Sequence, residues 1–301
     1  MDDLPGGPMT KCGGASHLPA PIPPAVDLAT ILIAASLFAT VTLGYSWVVL
    51  PRLTRRIETG PIDGFLLSVI EGWCRLMHRP EWIGFDAIRD LLGPGADRNG
   101  PRRGAILVSN HACGLDPFLL QAPLWRRIRW LMAQDQMLDW LAGAWKHLEV
   151  LPVTYGAGDS TTFREANRHL QAGGVIGIFP EGGIARPARQ VRPFLAGVGL
   201  MVARAKVPVI VCWIEGAPDT PSAVGAFFRR AKIRIHCLDV IDFRGERDVE
   251  AFTARLRGTI QRASGWPMND EPMPWIAPAR TPRSEAGPDK SATAARVPSG
   301  R

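Results

Sequence analysis

Short apolar runs rich in β-branched residues alternate with segments of helical periodicity along most of the chain beyond residue 100. The runs that predict strands are residues 105–108, 128–133, 150–154, 175–179, 207–214 and 233–241. Helices are predicted from residue 116 and over residues 159–171, 194–206 and 248–262. This alternation predicts an α/β fold, with a mixed or parallel sheet flanked by helices.

The composition separates a folded centre from two tails. Of the 301 residues, 46% are hydrophobic and 21% are charged, which is enough apolar material for a large core. Residues 1–27 are rich in proline and glycine, and residues 264–301 in proline, serine and charged residues. We therefore predict a flexible N-terminal tail, a folded domain over residues 101–263 and a disordered C-terminal tail.

Charge and cysteine usage limit the partners. The formal net charge of +7 favours an anionic partner, such as membrane lipid, a phosphorylated substrate or nucleic acid. The five cysteines form no C-x-x-C pair, which argues against a zinc site or a disulfide framework and favours a reducing compartment. We predict no metal ion.

A long uncharged run precedes the folded centre. Residues 28–50 contain no charged side chain, and as a helix they would be about 34 Å long, against about 30 Å for the hydrocarbon core of a bilayer. Arg52, Arg55 and Arg56 follow directly, so the positive-inside rule places the rest of the chain in the cytoplasm. We expect a transmembrane or membrane-embedded helix here. A buried core helix and an interfacial helix are the alternatives.

Residues 51–100 are predicted to hold an amphipathic helix and a linker. Apolar side chains recur at helical spacing before Pro80 ends the pattern: Phe65, Leu66, Val69, Ile70, Trp73, Leu76 and Met77. Such a stripe is typical both of a helix packed on a core and of one in a membrane interface. The pattern leaves both open.

The strongest candidate for a functional site follows the strand at 105–108. His111 comes just beyond the end of this strand, and Asp116-Pro117 has the pattern of a helix start, with aspartate as N-cap and proline at the first helical position. A turn between them can bring the imidazole and the carboxylate into hydrogen-bond contact. The carboxylate would then fix the tautomer of His111 and leave its other ring nitrogen free to take a proton.

A second polar cluster, Glu181-Gly182-Gly183, follows the strand at 175–179. In an open α/β sheet, ligands bind outside the carboxyl ends of the parallel strands. If the strands at 105–108 and 175–179 are parallel, the two clusters lie at one edge of the sheet and build one site.

Each of these residues also has a purely structural interpretation. His111 would then be a satisfied polar residue at a strand end, Asp116 only an N-cap and Glu181 the cap of a turn. Cys113 is interpreted as a small buried residue and not as a nucleophile. The run of tryptophan and arginine at 125–130 fits a membrane interface, a surface for single-stranded nucleic acid or a solvated edge.

Three segments together carry a family resemblance: Asn110-His111-x4-Asp116, Phe179-Pro180-Glu181-Gly182 and Val207-Pro208-Val209-Ile210. In this order and spacing, over residues 101–220, the chain resembles the lysophosphatidic acid acyltransferase family, the membrane-bound glycerolipid acyltransferases. The resemblance implies a glycerol-3-phosphate acyltransferase-like fold and transfer of an acyl group from acyl carrier protein or coenzyme A to a lipid hydroxyl. The leading reaction converts 1-acyl-sn-glycerol-3-phosphate to phosphatidic acid on the cytoplasmic face of the inner membrane.

The resemblance also assigns roles to residues. His111 would be the general base that takes the hydroxyl proton, and Asp116 would orient and support its imidazolium. Substrate binding falls to the residues around these two motifs: Asn110, Phe179, Pro180, Glu181, Gly182 and Gly183. No bound cofactor is implied, because the acyl thioester is a substrate, and the partners are membrane lipid and the thioester carrier, not nucleic acid.

The chain departs from the family pattern where phosphate recognition is expected. The family's usual F-P-E-G-T-R ends here in Gly183-Ile184, and Tyr155-Gly156 stands where another arginine is usual. Guanidinium groups bind phosphate bidentately, so this role could pass to the arginines of the following loop: Arg186, Arg189 and Arg192. A different lipid hydroxyl, such as that of a lyso-ornithine lipid or another lysolipid, is the alternative acceptor.

Two functions of other classes rank below acyl transfer. A thioesterase would use His111 to activate water, and a membrane-tethered nucleic-acid binder would use the basic surface. Neither function needs the pair of motifs.

Overall fold

The structure is a computed structural model that describes residues 28–44, 58, 60–93, 102–154, 160–220, 224–242 and 248–273. The chain divides into two units, Met1–Leu50 and Pro51–Arg301. The predicted tails, apart from residues 264–273, lie outside the described residues. In the first unit the described residues form one helix, α1, at Leu28–Gly44.

Only part of the predicted membrane helix is described. Helix α1 covers 17 of its residues, Leu28–Gly44, and residues 45–50 lie outside the described residues. Among the residues that the structure describes, no helix is both long enough and apolar enough to cross a membrane. The prediction of a membrane-spanning helix over residues 28–50 is therefore not supported.

The described residues of the second unit form a seven-stranded mixed sheet in the order β1-β7-β6-β2-β5-β3-β4. The strands are β1 (Glu81–Ile83), β2 (Ala105–Ser109), β3 (Ile128–Ala133), β4 (Leu151–Val153), β5 (Val175–Ile178), β6 (Val209–Glu215) and β7 (Arg234–Ile241). Every pairing between two of the strands β2 to β6 is parallel. Strand β7 is antiparallel to β6 and parallel to β1.

Helices cover both faces of this sheet, as the sequence predicted. They are α2 (Pro61–His78), α3 (Arg89–Leu92), α4 (Asp116–Gln121), α5 (Ala142–His147), α6 (Ser160–Gln171), α7 (Ala196–Ala205) and α8 (Val249–Ser264). Alternate residues of β2 enter different apolar clusters, because successive side chains of a strand point to opposite faces. Ile106 and Val108 pack with α6, α7 and α8, and Leu107 packs with α2, α3 and α4.

Helix α2 packs on the sheet with the face opposite to its apolar stripe. Its buried positions are Gly64, Leu67, Glu71, Cys74 and His78. Its outer stripe consists of Ile62, Phe65, Leu66, Val69, Trp73 and Leu76, each between 38% and 66% exposed. Ile70 of the predicted stripe packs against the apolar core, so core packing accounts for part of the stripe and leaves these outer residues exposed. Phe228, itself 69% exposed, extends the outer stripe beside Trp73, with ring centroids 6.0 Å apart.

Candidate active site

The predicted contact between His111 and Asp116 is present. Strand β2 ends at Ser109 and α4 begins at Asp116, and the turn between them brings Nδ1 of His111 to 2.8 Å from Oδ2 of Asp116. The Asp116 side chain is fully buried, while that of His111 is 17% exposed. The hydrogen bond engages Nδ1, so Nε2 is the ring nitrogen available to exchange a proton with a ligand.

Asp116 is not the N-cap of α4. Leu115 holds that position, and Asp116 is the first helical residue. Its Oδ2 instead accepts hydrogen bonds from the backbone N–H groups of Ala112 and Cys113, at 2.6 and 2.9 Å. The carboxylate thus fixes the turn that presents His111, while one of its oxygens also holds the imidazole.

Cys113 supports the same carboxylate. Its thiol is fully buried and donates to Oδ1 of Asp116 at 3.3 Å. Burial, and then the negative charge of Asp116, raise the pKa of this thiol and favour its neutral form, as expected for a small buried residue.

Asn110 ties the end of β2 to the neighbouring strand. Its Nδ2 donates to the carbonyl of Ile214 at 3.0 Å, and its Oδ1 accepts from the N–H of the same residue at 2.8 Å. The side chain is 2% exposed. These two bonds continue the pairing of β2 with β6 beyond Ser109. They fix the position of the backbone just before His111. A direct role of Asn110 in substrate binding stays a prediction.

The second motif lies against the first. Phe179 follows β5, and its ring is stacked on the imidazole of His111, with centroids 3.9 Å apart and planes 10° apart. The N–H of Gly182 donates to the carbonyl of Phe179 at 3.0 Å, closing a turn in which Gly182 has a φ of +80°, a conformation that favours glycine. After this turn, the N–H of Ala185 donates to the carbonyl of His111 at 3.1 Å. Both motifs therefore share one edge of the sheet.

Pro180 and Glu181 form the buried base of this turn. The carbonyl of Pro180 accepts from the N–H of Leu195 at 2.8 Å. Glu181 is 1% exposed; its Oε2 accepts from the N–H of Arg192 at 3.4 Å, and its Oε1 has no hydrogen-bond partner among the described residues. Burial raises the pKa of Glu181 to about 8, although that backbone bond and the charges of Arg192 and Arg257 act in the opposite direction. Near neutral pH the carboxyl group is therefore mostly protonated.

The arginines of the following loop are engaged with the protein. Arg186 donates to the carbonyl of the preceding residue at 3.0 Å and to that of Thr220 at 2.5 Å. Arg192 is buried and donates to the carbonyls of Arg186 and Glu271. Arg189 is exposed. Phosphate binding by Arg186 stays a prediction, and it would require these bonds to be shared or replaced.

One aromatic residue beside the site was not predicted there. Trp130 lies in β3, and its indole stacks on the second face of Phe179, with centroids 4.8 Å apart. The mixture of tryptophan and arginine before it favours a surface. The signal that Trp130 faces inward is the alternation along β3, which puts its side chain on the opposite face from that of Arg129.

Comparisons with known proteins concern the same part of the chain. Residues 95–215 match the family model described as Acyltransferase. Eight chains of solved structures match this chain. Among them is the crystal structure of the 1-acyl-sn-glycerophosphate (LPA) acyltransferase PlsC from Thermotoga maritima, with a TM-score of 0.53 and 17% sequence identity over 78% of this chain and 94% of that chain. At this identity the likeness shows a shared fold. No curated protein matches the chain significantly.

Proposed function

We propose that the chain is a lysophosphatidic acid acyltransferase-like enzyme that moves an acyl group from acyl carrier protein or coenzyme A to the hydroxyl group of a lysophospholipid. The match of residues 95–215 to the Acyltransferase family model and the fold shared with PlsC support this proposal. The observation that carries this proposal is the buried Asp116 carboxylate at 2.8 Å from Nδ1 of a partly exposed His111. A histidine held in this way is suited to take a proton from an alcohol.

The proposed reaction is a direct transfer. Nε2 of His111 takes the proton of the acceptor hydroxyl as its oxygen attacks the thioester carbonyl. A carbon–oxygen bond forms, the carbon–sulfur bond breaks, and the thiolate leaves as a thiol with the proton returned by the imidazolium. Asp116 stabilises that imidazolium through the bond to Nδ1. The products are an ester and a free thiol, and no covalent enzyme intermediate is needed.

The leading acceptor is 1-acyl-sn-glycerol-3-phosphate, which would give phosphatidic acid. A second acceptor class, a lyso-ornithine lipid or another lysolipid, is favoured by the loss of the family's usual arginine at Ile184 and by the bonds that already occupy Arg186. A panel of these acceptors, each given with acyl carrier protein and coenzyme A thioesters, separates the two. Product from another lysolipid but none from lysophosphatidic acid would overturn the leading assignment.

The same assay tests the enzyme class. A transferase consumes thioester only when an acceptor is present, whereas a thioesterase releases free fatty acid at full rate without one. Fatty acid release that does not depend on the acceptor would contradict the proposed function.

The proposed location is the cytoplasmic face of the inner membrane. The outer stripe of α2 presents apolar side chains that are 38% to 66% exposed, and exposed Arg229 and Arg230 directly follow Phe228. An apolar stripe next to cations is typical of a helix that lies in the interface of an anionic bilayer. Such placement would bring the lipid acceptor to the enzyme.

A further inference from the structure

Three aromatic rings lie parallel next to the candidate base. The imidazole of His111 is stacked on Phe179 at 3.9 Å, and Phe179 is stacked on the indole of Trp130 at 4.8 Å, with 10° between the planes in both pairs. Phe179 is therefore held between two rings. Trp130 does not touch the imidazole in this arrangement, so any effect on it passes through Phe179.

The strand register explains why the rings meet. Trp130 of β3 is the direct neighbour of Gly177 in β5, and Phe179 is two residues further along, on the same face of the sheet. A Cβ atom on Gly177 would lie 2.5 Å from Cε3 and Cζ3 of Trp130 and 2.7 Å from Cγ2 of Ile128. A side chain at this position would therefore press on both neighbours, and glycine lets the indole lie flat across β5 and reach Phe179.

We propose that Trp130, seated on Gly177, is a positioning residue for His111. The proposal rests on the proposed function of His111 as general base. The bond to Asp116 fixes one atom of the imidazole, but the ring can still rotate about that contact, because the χ2 torsion of histidine is broad. A flat neighbour at 3.9 Å fixes the plane of the ring and hence the direction of Nε2.

Phe179 can do this only if its own ring is held. Its χ2 torsion is also soft, and one of its faces would be open if the indole were absent. Stacked aromatic pairs gain stability beyond their buried area, so the indole holds the phenyl ring parallel to the imidazole. A small displacement of a catalytic group lowers the rate of the chemical step. It affects the affinity for substrate less.

The test compares Trp130→Leu, Trp130→Phe and Gly177→Ala with a matched control. Trp213→Leu is the control, because Trp213 is 7% exposed and also stacks on a histidine, His236, at 4.7 Å. We expect Trp130→Leu to lower kcat about 10-fold with KM for both substrates nearly unchanged, Trp130→Phe to recover most of the rate and Gly177→Ala to resemble Trp130→Leu. Trp213→Leu should lose thermal stability by a similar amount and keep the parent's kcat.

A second readout does not depend on the substrate. In spectra of histidine-labelled protein, the ring protons of His111 should be shielded by Phe179, and Trp130→Leu should reduce this shielding while Trp213→Leu leaves it unchanged. His111→Ala identifies the signal and tests the base itself. An unchanged His111 signal and kcat in Trp130→Leu would overturn the proposal. Full activity of His111→Ala would instead contradict the proposed function of His111 as general base, on which the proposal about Trp130 rests.

Discussion

Asp116 receives three hydrogen bonds from residues 112 and 113 and holds His111 with the same carboxylate. The H-x4-D spacing predicted the contact with His111, because a short turn can join residues so close in sequence. The spacing did not predict that the Asp116 carboxylate bonds the backbone of this turn and does not cap helix α4. The bonds of Asn110 to Ile214 were beyond sequence analysis, since the two residues are 104 positions apart and meet only when β2 and β6 pair.

Substitution of Cys113 separates a supporting thiol from a nucleophilic one. Serine keeps a short donor toward Oδ1 of Asp116, so we expect Cys113→Ser to retain activity within about threefold, and Cys113→Ala to lose more because the buried oxygen loses a partner. Steady-state rates of the two variants check this. Loss of all activity in Cys113→Ser would mean that the thiol takes part in the chemistry.

The raised pKa of Glu181 predicts a pH-dependent stability. Between the usual value of 4.5 and about 8, the unfolded chain loses this proton while the folded chain keeps it. The folded state then binds more protons, so the free energy of unfolding falls as pH rises through this window. Glu181→Gln should therefore gain melting temperature relative to the parent between about pH 5 and about pH 9. The exposed Glu250→Gln is the control, and a constant difference for Glu181→Gln would contradict the prediction.

Helix α2 shows what the spacing of apolar residues can predict about a single helix and what it cannot. The spacing of its apolar residues predicted a helix, and the structure has one at Pro61–His78. Periodicity identifies an apolar face but not what that face meets, and here most of that face is exposed while Ile70 packs on the core. Some short elements escaped prediction, among them β1 with 3 residues and α5 with 6.

The outer stripe of α2 predicts binding to lipid. Leu76 is 66% exposed, and we expect Leu76→Asp to weaken sedimentation with vesicles of anionic phospholipid, because a carboxylate disfavours burial among acyl chains and repels the headgroups. Leu200, 57% exposed on α7 at the other face of the sheet, supplies the control Leu200→Asp. Equal loss of binding in the two variants would argue against this face.

The whole sheet places the chemistry. Because β2 and β5 are adjacent and parallel, their carboxyl ends bring His111 and the turn at Gly182 to one edge. The alternation of strands and helices predicted this much, and the family resemblance identified the residues. Strand order and the antiparallel β7 depend on contacts between distant segments, and the sequence pattern does not contain them.

The central claim is that Nε2 of His111 takes the proton of the acceptor hydroxyl. The most direct test measures acyl transfer from a thioester to a lysophospholipid by purified His111→Ala. His147→Ala is the control, because His147 also bonds a carboxylate, that of Asp63, at 2.6 Å. The account predicts that His111→Ala lowers kcat by about 10²–10⁴-fold, while His147→Ala, which also loses a bond to a carboxylate, stays near the parent. Transfer by His111→Ala at the parent's rate would contradict it.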